Sequence, residues 1–267
     1  MDRTAFFDAL WRRYRTLTPQ ADAIQAGLLG RGEVVINDHV ALRSLAQTPF
    51  DLDGIERLLQ TIGYSGLDQY TFPEKHLDAR AYRCVDDPDA PKIFVSTLRR
   101  GVLSRDCERE LDVVAEGLAD APFALDTLTK GPCWSPVSYT TFEQLASESE
   151  YAGWLAAWGL QANHFTVSVN ALRTLAGLEA VNDWIKSQGF ALNQSGGEIK
   201  GSAAVLLAQS STCADHVDYA FGCGTKTSIP SCFYEFAERF PDASGALFQG
   251  FVAANATHIF ESTHRQQ

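Results

Sequence analysis

The sequence predicts an α+β fold in which N-terminal helices precede two similar strand-helix-strands modules that share a single metal site. Three observations carry that expectation. Two similar segments, NDHVALRSL with His39 and ANHFTVSVN with His164, each lead into a run whose apolar residues keep helical spacing. Each run closes on a Gly-aromatic pair, Gly63-Tyr64 in the first half and Gly189-Phe190 in the second. The histidines lie 125 positions apart and the closing glycines 126, an agreement that points to a structural repeat rather than to two unrelated strand-helix units.

The elements follow in order. Phe6, Phe7, Leu10, Trp11 and Tyr14 fall at helical spacing, which fits an N-terminal helix packed on the main body. The same stretch carries Asp2 and Asp8 and lacks an apolar core of export-signal length, so export is disfavoured. Thr18-Pro19 has the form of an N-cap and first-turn proline opening a second helix that ends at Gly30. Beyond residue 33, β-rich runs bounded by turn residues predict strands at 34–42, 66–72, 79–85, 92–98, 165–170, 199–209 and 233–236. Helices are predicted at 51–62, 105–119, 141–157 and 177–188, with Ile55, Leu58, Leu59 and Ile62 matched in the second half by Leu178, Val181, Trp184 and Ile185. Gly131-Pro132 and Ser135-Pro136 mark turns in the connection. With no low-complexity tract or long linker, residues 1–267 read as one catalytic domain: a helical extension at 1–30, a first module at 33–130 and a second at 160–260.

Composition excludes several classes of partner. The chain has 22 Lys and Arg against 33 Asp and Glu, a net charge of −11, which repels phosphate backbones and anionic lipid. No apolar run approaches the ~20 residues needed to span a bilayer. Nucleic acid and membrane are therefore not expected partners, and the oligomeric state is left open. Six cysteines without a CxxC pair read as reduced thiols of a cytoplasmic protein, each a small buried hydrophobe.

Side chains alternate faces along a strand, so His39, Ala41 and Arg43 share one face, as do His164, Thr166, Ser168 and Asn170. With Glu235 in SCFYEFAERF, the two histidines outline a two-histidine, one-carboxylate metal site built from duplicated halves. Taken singly, each residue has an ordinary reading: a satisfied core histidine, or an edge carboxylate. Arg43 places a cation in the same concavity, which is costly unless an anion fills it or an internal Asp or Glu neutralises it. Its counterpart in the second half falls near Ser168, so one half alone carries that charge. His76, His216, His258 and His264 lack the repeat context and read as structural or surface residues. Gly196-Gly197 forms no phosphate loop, because no GxxxxGK follows.

Five stretches, NDHVALRSL, NHFTVSVN, GGEIKGSAAVLLAQSST, IPSCFYEFAER and GFVAANATHIFEST, span most of the chain beyond the N-terminal helices. Through them the sequence resembles the 2-oxoadipate dioxygenase/decarboxylase family, whose sheet and metal centre are similar to those of the vicinal oxygen chelate superfamily. The resemblance implies a vicinal-oxygen-chelate-like fold, in which the two modules form one cupped, mostly antiparallel sheet around the metal, with Fe(II) as cofactor, His39, His164 and Glu235 as its ligands, and Arg43 as the grip on the substrate's distal carboxylate. It implies a small 2-oxo acid and O2 as partners: 2-oxoadipate loses carbon dioxide and the shortened acid is hydroxylated to 2-hydroxyglutarate, a step of lysine catabolism. Asn255 in VAANATHIF, and Lys200 and Ser202 on one face of IKGS, are further candidate substrate contacts. A helix-cap or turn role for Asn255 and a solvated Lys200 are the ordinary alternatives. Two other classes remain open: a non-oxidative metal-dependent lyase or isomerase, which would turn over without oxygen, and a small-anion-binding protein, which would not turn over at all.

Overall fold

A computed structural model describes residues 1–263. Helix α1 (Arg3–Leu17) starts at Asp2, whose carboxylate accepts from the Ala5 N–H, and buries Phe6, Leu10 and Tyr14 against the body. Helix α2 (Pro19–Gly30) follows with proline in its first turn as expected, although the Thr18 hydroxyl makes no cap bond. The first module is β1 (Asn37–Leu45), α3 (Leu52–Gln60), β2 (Tyr64–Phe72), β3 (Leu77–Cys84) and β4 (Lys92–Leu98). A helical connection of α4 (Arg105–Asp120), α5 (Tyr139–Glu148) and α6 (Glu150–Trp158) leads to the second module. That module comprises β5 (Ala162–Ser168), α7 (Leu178–Ser187), β6 (Lys200–Ser202), β7 (Leu207–Ser211), the hairpin β8 (His216–Ala220) and β9 (Lys226–Pro230), and β10 (Phe233–Arg239). Helix α8 (Ala253–Ile259) and a 3-10 turn through Thr263 close the described chain.

The strands form one eight-stranded sheet in the order β2-β3-β4-β1-β5-β10-β7-β6, with β8-β9 as a separate pair. This order is a palindrome of modules. Each first strand, β1 or β5, lies at the centre and pairs in parallel with the last strand of its own module, β4 or β10, while the remaining neighbours are antiparallel. The repeat extends to small detail: β2 leads into β3 through a 3-10 turn ended by His76 at φ 56°, and β6 into β7 through one ended by Leu206 at φ 64°. The expected mostly antiparallel, two-module sheet is the observed one.

Four elements differ from expectation. The helix predicted at 141–157 is two helices, because Ser149 leaves helical geometry and its hydroxyl accepts from the Ala152 N–H, opening α6. The strand predicted at 199–209 is broken by the 3-10 turn at Ala203–Val205. The β8-β9 hairpin, inserted between the third and fourth strands of the second module, and α8 were not expected. The cysteines, all six free thiols, depart from the reading in burial alone: Cys84, Cys107 and Cys232 are buried, Cys133 and Cys213 half-buried, and Cys223 exposed.

Helices α1 and α2 cover the sheet face opposite the histidines. Phe165, on the outer side of β5, meets Trp11 at 5.0 Å and Tyr14 at 5.1 Å between ring centroids. Burying a ring of this size contributes about 1.5–3 kcal/mol. Tyr14 then donates its hydroxyl to the Phe233 carbonyl, and the Phe233 ring stacks on His164 at 4.5 Å. Packing on one face thus fixes a side chain on the other. No helix among the described residues is long and apolar enough to cross a membrane.

Candidate metal centre

His39 on β1, His164 on β5 and Glu235 on β10 converge on one point, each buried, with one ligand atom apiece all within 4.8 Å of one another. The central strand pairing brings them there: His39 faces Thr166, Ala41 faces His164, and Thr166 sits beside Glu235. Glu235 reaches both imidazoles, Oε1 lying 3.3 Å from His39 Nε2 and Oε2 lying 3.1 Å from His164 Nε2.

The donor set fits a metal ion on the orientation of its rings. His39 Nδ1 lies 2.8 Å from Asp38 Oδ1 and His164 Nδ1 lies 3.2 Å from Asn163 Oδ1, so each outer nitrogen donates to the preceding residue. A neutral imidazole with its proton held there turns the Nε2 lone pair toward the shared point. Glu235 Oε2 is buried without a hydrogen-bond donor, as a carboxylate oxygen reserved for a cation would be.

Electrostatics separate the two histidines. Burial lowers both, but His39 has a carboxylate at each nitrogen, Glu235 and Asp38, and its pKa ends above the ordinary value. His164, backed by neutral Asn163, ends below it, burial outweighing Glu235. Burial alone would raise the Glu235 carboxyl, yet without a metal the two imidazoles, when protonated, hold it well below the usual range. Asp38 is held low in the same way against burial, chiefly by Arg239, which grips it through Nε at 2.6 Å and Nη2 at 2.8 Å. Nη1 of Arg239 also donates to the carbonyls of Phe248 and Gly250. The same guanidinium thus anchors the loop that delivers Phe251, whose ring meets His39 edge-on at 4.8 Å.

Arg43 reaches the cavity that these groups line, 1% exposed, between the rings of Tyr151 at 4.7 Å and Trp154 at 4.9 Å. Its Nη1 donates to Glu150 Oε1 and its Nη2 to Thr263 Oγ1, both at 2.8 Å, while Nε has no partner. The cavity has a volume of about 30 Å3, walled beyond the donors by Phe94, Ser96, Phe251 and Phe260. That is room for a water or two.

The remaining candidates lie outside this cavity. Asn255 is buried on α8 and donates to Leu207 O and to Gln209 Oε1, while Gln209 Nε2 donates to Glu235 Oε1 at 2.7 Å. It therefore reaches the centre through Gln209. The Lys200 ammonium is not solvated: it is 2% exposed, donates to the Asn193 carbonyl, and burial pushes its pKa down to about 8. Ser202 is exposed and caps the 3-10 turn at Ala204 N. His76, His216 and His258 are partly or fully exposed, as expected, and His264 lies outside the described residues. Sequence reasoning missed Asp38 and Asn163, although both precede a repeat histidine. It also missed Gln209, Arg239 and Phe251, which no local spacing marks.

Comparison with known proteins agrees with this geometry. A family model described as 2-oxoadipate dioxygenase/decarboxylase matches residues 6–243. The chloroplastic 2-oxoadipate dioxygenase/decarboxylase of Arabidopsis thaliana is 32% identical over 261 residues, covering 86% of this chain and 68% of that one. The crystal structure of the Oryza sativa hydroxyglutarate synthase in complex with 2-oxoadipate is 28% identical, with a TM-score of 0.89 over 97% of this chain and 91% of that one. A crystal structure from Shewanella frigidimarina NCIMB 400, which carries a provisional hydrolase name, is 42% identical, with a TM-score of 0.85 over 94% and 98% of the two chains. With the sheet, the convergent donors and a family match across most of its length, the chain is an enzyme that belongs to the 2-oxoadipate dioxygenase/decarboxylase family.

Proposed function

We propose that this enzyme is an Fe(II)-dependent dioxygenase/decarboxylase that converts a 2-oxo diacid, 2-oxoadipate foremost, with O2 to 2-hydroxyglutarate and CO2, in lysine catabolism. The observation that carries the proposal is the convergence of His39, His164 and Glu235 within 4.8 Å in a cavity that Arg43 also lines. The 2-oxoadipate bound to the rice relative supports the substrate class. Free cysteines support a reducing compartment, the cytoplasm in this reading.

Two imidazoles and one carboxylate are the facial donor set of non-haem iron, which supplies oxygen activation and chelation of a 2-oxo acid at the positions left open. The protein contributes orientation and exclusion of water. Asp38 and Asn163 hold the imidazole tautomers, and Gln209 holds Glu235 in place. Arg43 pairs with the distal carboxylate through its planar fork, which sets the carbon presented to the oxidant. Phe251 and Phe260 wall the same cavity and keep bulk water from the donors.

The test is reconstitution with Fe(II) under anaerobic conditions, followed by oxygen uptake and product analysis with 2-oxoadipate and its shorter and longer homologues. The proposal expects one O2 consumed per hydroxy acid formed, with the product one carbon shorter than the substrate. Turnover without oxygen would make the enzyme a lyase or isomerase on the same donors. No turnover with any metal would reduce the site to anion binding.

A further inference from the structure

Phe94 occupies in the first module the register position that Glu235 occupies in the second. In the central pair His39 faces Thr166 and Ala41 faces His164, so exchanging the modules maps each pair onto the other. On the outer sides, Phe94 of β4 lies beside Ala41, and Glu235 of β10 lies beside Thr166. Ala41 and Thr166 are each two residues past a repeat histidine, which makes Phe94 and Glu235 equivalent. Both line the same cavity. The module symmetry therefore offers four donor positions, and the first module fills its second one with hydrocarbon. The ring is held between neighbours, with centroids 5.1 Å from Phe251 and 5.6 Å from Tyr70.

We propose that Phe94 is a specificity-determining residue that limits the protein donors to three and so reserves the coordination positions that a chelating acid and dioxygen both need. The inference rests on the metal-centre reading above. Three protein donors on an octahedral ion leave three positions, two for a chelate and one for a third ligand; a carboxylate at residue 94 would take one or two of them. An enzyme with four protein donors could still polarise a substrate, but it would lack room for the acid and oxygen together. Breaking the repeat at this one position is what the reaction class requires of the cup.

The experiment uses Mn(II) alone as probe on the full chain, with metal affinity from titration and the number of metal-bound waters from water-proton relaxation. Wild type and Phe94→Leu are expected to bind one Mn(II) with about three waters. Phe94→Glu is expected to bind more tightly and to lose at least one of those waters. Phe94→Gln, a neutral donor that spares the fold an unpaired charge, is expected to lose one water and decides the matter if Phe94→Glu does not fold. An unchanged water count in the folded donor variants, with wild type binding metal, overturns the inference and leaves the metal centre standing. Failure of wild type to bind any divalent ion at His39, His164 and Glu235 removes both.

Discussion

The Arg43 guanidinium donates to Glu150 Oε1 at 2.8 Å, so the cation that reaches the cavity is neutralised from within the protein before any ligand arrives. Sequence reasoning left two fates for this arginine, an internal partner or a substrate carboxylate; the structure shows the first, and the second belongs to the proposed reaction. Glu150 keeps 19% of its side chain exposed and borders two surface pockets, while Arg43 Nε stays free. The proposed reaction would have a diacid take the guanidinium from Glu150.

Arg43→Ala is expected to abolish turnover or raise KM strongly while leaving metal content nearly intact. Because Glu150 retains solvent, the loss of stability should fall below the about 3–5 kcal/mol of a fully buried broken pair. Glu150→Gln removes the internal competitor and should lower KM for diacids. Steady-state kinetics with metal analysis checks both; loss of metal in Arg43→Ala would mean the arginine supports the donors instead.

Asp38 is tied to both His39 and Arg239. Asp38→Asn should weaken metal binding by about 10–100-fold through the loosened imidazole. It should also destabilise the metal-free protein by on the order of 3–5 kcal/mol, because Arg239 is left buried without its anion. Asn163→Ala removes a neutral partner and should cost less on both counts. Thermal unfolding with and without chelator separates the two effects.

Gly201 has φ +80°, and a Cβ there would run into the Leu207 carbonyl and the Asn255 amide. Gly201→Ala should therefore displace Asn255 from Gln209 and, through it, loosen Glu235. The expected result is weaker metal binding from a residue that touches no donor. Gln209→Ala should reproduce it, and unchanged affinity in both variants would sever this chain of contacts from the site.

Cys223, in the turn between β8 and β9, faces the start of α5, where the Thr225 hydroxyl and the Tyr139 N–H stabilise its thiolate and bring its pKa down to about 7. Burial instead pushes the Cys232 thiol up to about 12. Since thiolate is the reactive form, alkylation should mark Cys223 first, its rate rising through pH 7 and levelling by pH 8 to 9. Peptide mapping after brief iodoacetamide treatment gives the order of labelling; labelling of Cys232 at the same rate would contradict it.

The repeat, both histidines and the three candidate donors were legible in the sequence because each rests on a pattern: two matched segments, strand alternation, and family motifs. The β8-β9 hairpin escaped notice because its strands have five residues each and one exposed face, leaving little apolar signal. Helix α8 has seven residues and no side-chain cap. Contacts between distant elements, such as Arg239 with Asp38 and Gln209 with Glu235, depend on sheet register, which no local spacing encodes. Lys200 was misjudged for a related reason: its partner carbonyl at Asn193 comes from a loop whose path composition does not reveal.

The central claim is that residues from two modules share one metal. Its most direct measurement is anomalous diffraction at the iron edge from crystals of Fe(II)-loaded protein. A single strong peak is expected within bonding distance of His39 Nε2, His164 Nε2 and Glu235, absent in Glu235→Ala. A peak elsewhere, or none at this point under saturating metal, would contradict it.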